Sequence, residues 1–495
     1  MALNGSIITF SLYLVAMLVI GIVTYRMTRT FSDYVLGGRK LGSWVTAMSA
    51  QASDMSGWLL LGLPGFAFGV GMGSLWIAIG LATGTLMNWI YTSKRLRRYT
   101  QVLDALTLPD YFEFRFRDKT RFLRVLSALM IFLFFLFYTA SGLVGAGKLF
   151  EAAYGADFTI AVFIGALVIV GYTFLGGFLA VSWTDLFQGL LMFFALLIMP
   201  VAVIVYIGGF GETVDTIAAT SPMHLGLAGD NVGALAIFSF IAGNLAWGLG
   251  YFGQPHILVR FMAIKSPQML AKSTMLAMIW VVLTLYGAIL TGFVGFAASE
   301  KGLVSVADPE HIFIALSNLL FNPWVAGFML AAIMAAIMST VDSFLLVTST
   351  ALAEDFYKRL FRKNASEKEL IWVGRIGVLL VAAIAIYLSF AQEQNVLELV
   401  SYAWAGLGAT FGPLVLLSLY WKRMNVYGAY AGIITGAATV ILWKNVLGWS
   451  DYLYELLPAF VLGVIAIVVV SLLTPPPPKE VLEEFDRSTR PLEGE

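Results

Sequence analysis

The sequence predicts an all-α polytopic membrane protein, with thirteen transmembrane helices arranged around a five-plus-five inverted repeat. Three observations lead there. Hydrophobic residues make up 59% of the chain and charged residues 12%, against roughly 25% in a soluble domain, and mean hydropathy is +0.85. Apolar runs repeatedly reach about 18 residues or more, the length that crosses a bilayer as a helix and too long and uniform for barrel strands. Two of these runs are broken by glycine, proline and polar residues, and they stand five spans apart.

In chain order, the first run, about 5–25, lacks the basic start and small-residue cleavage site of a removable signal and reads as a retained helix. The second, about 44–70, carries MSAQASDMSGWLLLG, Met48 to Gly62, where lipid is expected. Spans three to six follow at about 73–92, 122–149, 158–179 and 183–207. The seventh, about 233–255, runs into NLAWGLGYFGQPH, Asn244 to His256, with Gly248, Gly250, Gly253 and Pro255 close together. The eighth covers about 274–297, and the ninth, about 323–353, contains LAAIMAAIMSTVDSFLL, Leu330 to Leu346. Spans ten to thirteen fall at about 370–391, 398–421, 426–446 and 455–473. The remainder, TPPPPKEVLEEFDRSTRPLEGE, stops the last helix with four prolines and is expected to be a flexible cytoplasmic tail.

Five is an odd spacing, so units 44–207 and 233–421 run in opposite senses, and each opens with a broken helix. Residues 1–43 form a first helix and cytoplasmic loop, 422–473 two peripheral helices, and 474–495 the tail. The charges support the alternation. One set of connections holds Arg26, Arg29, Arg39, Lys40, the runs Lys94 to Arg98 and Arg115 to Arg124, and Arg260, Lys265 and Lys272. It continues with Lys358, Arg359, Arg362, Lys363, Lys368, Lys422, Arg423, Lys479, Arg487 and Arg490, whereas the opposite set holds only Lys148, Lys301 and Lys444. Cytoplasmic loops collect Lys and Arg, which puts the N-terminus outside and the C-terminus in the cytoplasm. Arg375, near the start of span ten, is expected to snorkel to the cytoplasmic face. The basic loop YVLGGRKLG, Tyr34 to Gly42, either lines an inner exit or only supplies orientation charge.

Net charge is zero, so nucleic acid is not an expected partner, and the absence of cysteine removes thiolate chemistry. His224, His256 and His311 stand alone without metal-ligand spacing. With no nucleophile–base set and no appended soluble domain, a carrier is expected rather than an enzyme, receptor or sensor, and no required protein partner is evident. Broken helices around a mid-membrane pocket also suit a gated site better than a channel.

Asp54 lies at the heart of the first break, among Ser49, Ser53 and Ser56, with Gly57, Gly62 and Pro64 after it. A mid-bilayer carboxylate costs about 2.5–3.5 kcal/mol on the insertion scale and usually marks an ion or solute path. Interhelical hydrogen-bond glue is the plainer alternative. On span nine, Ala336, Ser339, Thr340 and Ser343 share a face, and the two adjacent hydroxyls either point at a shared ion or back-bond to the preceding turn. Asp342 points elsewhere, toward a structural or gating role with a buried donor. Trp58, Tyr138, Trp247 and Tyr251 lie in or near the breaks, as a ring-binding pocket or as packing for the kinks.

Five stretches together resemble the sodium:solute symporter family: DYVLGGRKLGSWVTAMSAQASDMSGWLLLGLPG, YTFLGGFLAVSWTDLFQG, WGLGYFGQPHILVRFMA, AAIMSTVDSFLL and YAWAGLGATFGPLVLLSLYWKRMN. The resemblance spans nearly the whole chain. It implies a leucine-transporter-like core in a bacterial cytoplasmic membrane, with sodium and L-proline as the transported partners. The implied sodium ligands are the carbonyls of Ala52, Met55 and Ala336 and the hydroxyls of Ser339 and Thr340, with Asp54 supporting by its charge. The implied proline pocket comprises Ser56, Trp58, Tyr138, Trp247, Tyr251 and Pro255. A carrier of another small solute, such as a monocarboxylate, a sugar or pantothenate, is the alternative within the family.

Overall fold

A computed structural model describes residues 2–25, 30–390 and 395–491, and every regular element among them is helical. Arg26, Arg29 and the last four residues of the tail lie outside the described residues. The first element, α1 (Ala2–Tyr25), is followed by a short α2 (Phe31–Leu36), started by a reciprocal cap between Thr30 and Asp33. Helices α3 (Ser43–Asp54) and α4 (Leu63–Val70) flank an irregular stretch and a π-helical turn, Trp58–Gly62. Next come α5 (Leu75–Met87), α6 (Lys94–Val102), α7 (Leu108–Phe116) and α8 (Phe122–Tyr154). The chain continues through α9 (Phe158–Ile207), α10 (Phe210–Thr220) and α11 (Ala234–Ala246). A 3₁₀ segment, Trp247–Gly253, leads into α12 (Pro255–Ala263), then α13 (Leu270–Glu300) and α14 (Ile312–Leu320). The remaining helices are α15 (Pro323–Thr350), α16 (Glu367–Phe390), α17 (Val396–Tyr420), α18 (Val426–Ile441), α19 (Leu456–Leu473) and α20 (Lys479–Thr489).

Among the described residues, 11 helical stretches are long and apolar enough to cross a membrane. One, Trp58–Val102, is 45 residues long, and Phe158–Gly171 is apolar but shorter than the rest. Two glycines mark where consecutive spans part. α9 has 50 residues, about 75 Å at 1.5 Å per residue and more than twice a bilayer core, so it must bend. It does so at Gly177, with φ 64° and ψ −168°, where a β-carbon would lie 2.8 Å from the Tyr34 ring. Gly71, at φ 61°, turns the chain between α4 and α5 against the His224 backbone.

Helix α15 sits at the centre. It packs on α1, α3, α8, α9 and α16, and 94% of its membrane-length window is buried, against 22% for α1. Its small residues Ala331, Ala332, Ala335 and Ala336 let those neighbours approach closely. The outer helices instead expose Leu12, Val15, Val205, Leu380 and Val469, the side chains a lipid surface requires.

One expectation changes. The tail is not a loose end: after Pro475–Pro478 it forms α20, whose Val481 and Phe485 are buried. Phe485 meets the Tyr99 ring at 6.2 Å and the Arg115 guanidinium at 5.3 Å, while Lys422–Asp486 (2.5 Å) and Arg117–Glu484 (2.5 Å) pin the rim. Polar composition suggested disorder, but one apolar stripe at helical spacing suffices to dock a helix. Arg375 is buried over the rings of Trp372, one turn nearer the start of α16, and Phe174. Nearby, fully buried Arg124 holds Asp110, Glu113 and Asp355, fastening α7 and α8 to the π-helical extension of α15, Ala351–Phe361.

Candidate functional site

The first break frees a carbonyl. At Met55 the backbone leaves the helix, with φ −82° and ψ 78°. The Ser56 N–H then donates to Asp54 O, two residues back (3.0 Å), instead of continuing the ladder to Ala52. Two hydroxyls of α15 take up the Ala52 carbonyl: Ser339 Oγ at 2.8 Å and Thr340 Oγ1 at 3.2 Å. Ser339 Oγ also reaches Ala336 O at 3.2 Å. The structure thus gathers Ala52, Ala336, Ser339 and Thr340, four of the five residues expected to hold an ion. Met55, the fifth, is fully buried on the same turn. Neutral carbonyl and hydroxyl oxygens are a hard donor set, suited to an alkali cation and unsuited to a soft metal.

The second break is anchored differently. Between α11 and α12 the freed carbonyls are recaptured by side chains, two from other helices and one from within the break. Trp404 Nε1 donates to Trp247 O (2.8 Å), Asn88 Nδ2 to Tyr251 O (3.0 Å) and Gln254 Nε2 to Gly250 O (3.2 Å). Gly250 allows this: a β-carbon there would lie 2.0 Å from Trp404 Nε1. Pro255 at the first turn of α12 restarts the helix, since its missing N–H would have no partner there anyway.

One hydrogen bond joins the breaks. The Tyr251 hydroxyl donates to Asp54 Oδ2 at 2.7 Å, and Trp58 Nε1 donates to Asp54 O at 3.2 Å. Asp54 is fully buried and its Oδ1 has no hydrogen-bond partner. Around this junction the rings collect: Trp58–Trp247 at 6.2 Å, Trp247–Tyr454 at 5.4 Å and Tyr251–Trp404 at 5.0 Å between centroids. Ser56 is buried beside them, its Oγ accepting from Trp58 N at 3.4 Å. Tyr138 comes from α8, within electrostatic range of Asp54, its ring 4.3 Å from Phe344. Pro255, four residues after Tyr251, lines a cavity of about 30 Å³ with Thr107, Val259, Thr350 and Asp355.

A vestibule of about 880 Å³, walled by Asn231, Asn244, Asn395, Glu398 and Asp451, ends on Trp247 and Tyr454. A second group of contacts, made by basic residues, clasps backbone carbonyls of distant segments. Arg39 donates to Ala105 O (2.7 Å) and Met262 O (2.9 Å), Arg97 donates to Ile264 O (2.8 Å), and Leu41 and Lys265 pair through their backbones (2.9 Å). One turn from the oxygens of α15, buried Arg260 ties Asp185 (3.2 Å), Ser49 (3.0 Å) and Ser343 (2.7 Å) together, with Asp342 in its field.

Sequence reasoning missed Trp404 and Tyr454, which complete the ring cluster. Trp404 lies in the small-residue run YAWAGLGATFG, a signal of close helix packing, but Tyr454 lies in a loop and carries no such signal.

A model of the sodium:solute symporter family matches residues 34–436. The chain is 50% identical over 487 residues to a protein named sodium/proline symporter in Escherichia coli, covering 97% of this chain and 95% of that one. It is 48% identical over 475 residues to the osmoregulated proline transporter OpuE of Bacillus subtilis, covering 96% of each. Among solved structures, a sodium-coupled sialic acid symporter in a substrate-bound outward-open state superposes with a TM-score of 0.79 at 20% identity, covering 95% of this chain and 98% of that one. A nucleobase-cation symporter in a closed conformation follows at 0.56 and 14% identity, covering 92% and 98%. At such identities the structural likeness is one of fold.

Proposed function

The chain belongs to the sodium:solute symporter family, and from that premise we propose that it couples the inward movement of sodium to the uptake of L-proline by alternating access. The full-length relatives named for proline support the solute. The observation that carries the mechanism is the contact of Ser339 and Thr340 with the carbonyl that the first break releases.

Sodium enters by the vestibule and takes the oxygens of Ala52, Met55, Ala336, Ser339 and Thr340, with the Asp54 carboxylate balancing its charge from between Ala52 and Met55. By bridging α3 and α15 it stabilises the first break, whose N–H groups and Ser56 hydroxyl receive the proline carboxylate. The apolar ring packs among Trp58, Tyr138 and Trp247, and Tyr251 holds Asp54 in place. Each ligand therefore raises the affinity for the other by the same factor. Pro255 belongs to the release side of this site.

Counting α3–α4 and α5–α6 as separate crossings, and Phe158–Gly171 as one more, gives thirteen helices. Residues 44–207 and 233–421 then form the two inverted units, flanked by 1–43 and 422–473. The basic face, with Arg39 and Arg97, is cytoplasmic by the charge rule, and the vestibule is outside a bacterial cytoplasmic membrane. One sodium descending about 150 mV yields roughly 3.5 kcal/mol. A tenfold gradient adds about 1.4 kcal/mol, so accumulation of a few thousand-fold is within reach.

The test is uptake of radiolabelled proline into proteoliposomes with an inward sodium gradient, with choline as the control and unlabelled monocarboxylate, sugar and pantothenate as competitors. Equal uptake in choline refutes the coupling, and stronger competition by another solute refutes proline.

A further inference from the structure

His256 follows Pro255 in α12, and neither the ion site nor the ring cluster makes use of it. Its side chain is fully buried, and neither Nδ1 nor Nε2 has a hydrogen-bond partner. It stands in a box of rings, with Phe344 at 4.8 Å, Phe135 at 5.7 Å and Tyr138 at 6.2 Å between centroids. An unbonded imidazole in such a box costs free energy that an apolar side chain of similar size would not. The position therefore invites a partner absent from this arrangement of the helices.

Its neighbours say where that partner would come from. Tyr138 is one of the rings proposed to hold the solute. Pro255 lines the cavity of about 30 Å³ that also touches Thr350 and Asp355. His256 thus sits one residue from that cavity, with its ring 6.2 Å from that of Tyr138. Arg260, one turn on, is not a free alternative, because Asp185, Ser49, Ser343 and the His256 carbonyl (2.8 Å) already hold its guanidinium.

We propose that His256 is a second station for the solute, hydrogen-bonding the polar head of the amino acid as it leaves the ring cluster for the cytoplasmic face. A neutral imidazole offers an N–H donor for a carboxylate and a bare nitrogen for an ammonium on one rigid ring, which suits a zwitterion. His256 acts on release, while initial capture rests on the ring cluster.

This inference rests on the carrier reading above, and the experiment separates the two. Wild-type protein, His256→Leu and His256→Gln are compared by equilibrium binding of radiolabelled proline in saturating sodium, by initial uptake rate in proteoliposomes, and by thermal melting. For His256→Leu, the expected result is binding within about twofold of wild type, melting no lower, and uptake about tenfold slower, the value of one lost hydrogen bond to a charged group. His256→Gln, which keeps a donor and an acceptor, is expected to recover about half of the lost rate or more. Wild-type uptake by His256→Leu overturns the proposal. So does a loss of binding that matches the loss of rate, which would put the ring in the capture site. So does a fall in melting that Gln does not repair, which would make the role one of packing. Wild-type protein that fails to take up proline under a sodium gradient would overturn the carrier reading and this inference with it.

Discussion

Replacing Ser339 by alanine removes one oxygen from the four gathered where α3 breaks. That hydroxyl lies 2.8 Å from Ala52 O and 3.2 Å from Ala336 O. Its loss costs the fold about one neutral hydrogen bond, roughly 1 kcal/mol, because Thr340 still covers Ala52 O. A bound cation loses more, since an interaction with a charged partner is worth about 1.5–3 kcal/mol. At 1.4 kcal/mol per decade, the sodium concentration for half-maximal uptake is expected to rise about tenfold or more. Proline affinity is expected to fall at limiting sodium and to recover at saturating sodium, since the coupling is reciprocal. The assay is initial proline uptake in proteoliposomes over a sodium titration, with thermal melting alongside. A Ser339→Ala protein that melts normally and keeps wild-type sodium dependence would refute the ligand assignment.

Thr340→Ala is expected to raise the sodium requirement in the same titration, and an unchanged curve removes its hydroxyl from the site. Trp247→Ala takes away the ring that packs between Trp58 and Tyr454, each such pair worth about 0.5–1.5 kcal/mol beyond area burial, so proline should bind several-fold more weakly in saturating sodium; unaltered binding places the ring outside the pocket. Tyr251→Phe leaves the Asp54 carboxylate with no side-chain donor, at a cost of about 1–3 kcal/mol or more. Its melting temperature should drop in sodium-free buffer and recover in part with sodium, and equal stability in both would argue against a cation near Asp54. Phe485→Ala removes the apolar anchor of α20, about 1.5–3 kcal/mol of burial, and should speed tryptic cleavage in the tail; an unchanged digestion rate would mean that the helix is held by its ion pairs alone.

Much of this architecture was legible as pattern. Long apolar runs can satisfy backbone groups in lipid only as helices, so the helical class followed from composition and run length. The breaks were legible too, because Asp54 and the Gly248–Pro255 cluster violate the rules of a lipid-facing helix. The turning points themselves were not, because they are positive-φ glycines, Gly71 between α4 and α5 and Gly177 within α9. α20 was hidden by a polar average that masked a stripe of two buried residues.

For the site, the sequence alone could name a face of α15 and a weak point in α3. It could not say that the Ala52 carbonyl meets Ser339 across 287 residues of chain, because that contact depends on how α3 packs against α15. Nor could it show that Tyr251 bonds to Asp54, or that Trp404 and Tyr454 complete the rings. Local composition decides where a helix must break, since that depends on backbone groups and nearest neighbours. Which side chains repair the break is decided by helices distant in the chain, and only their packing brings those partners within reach.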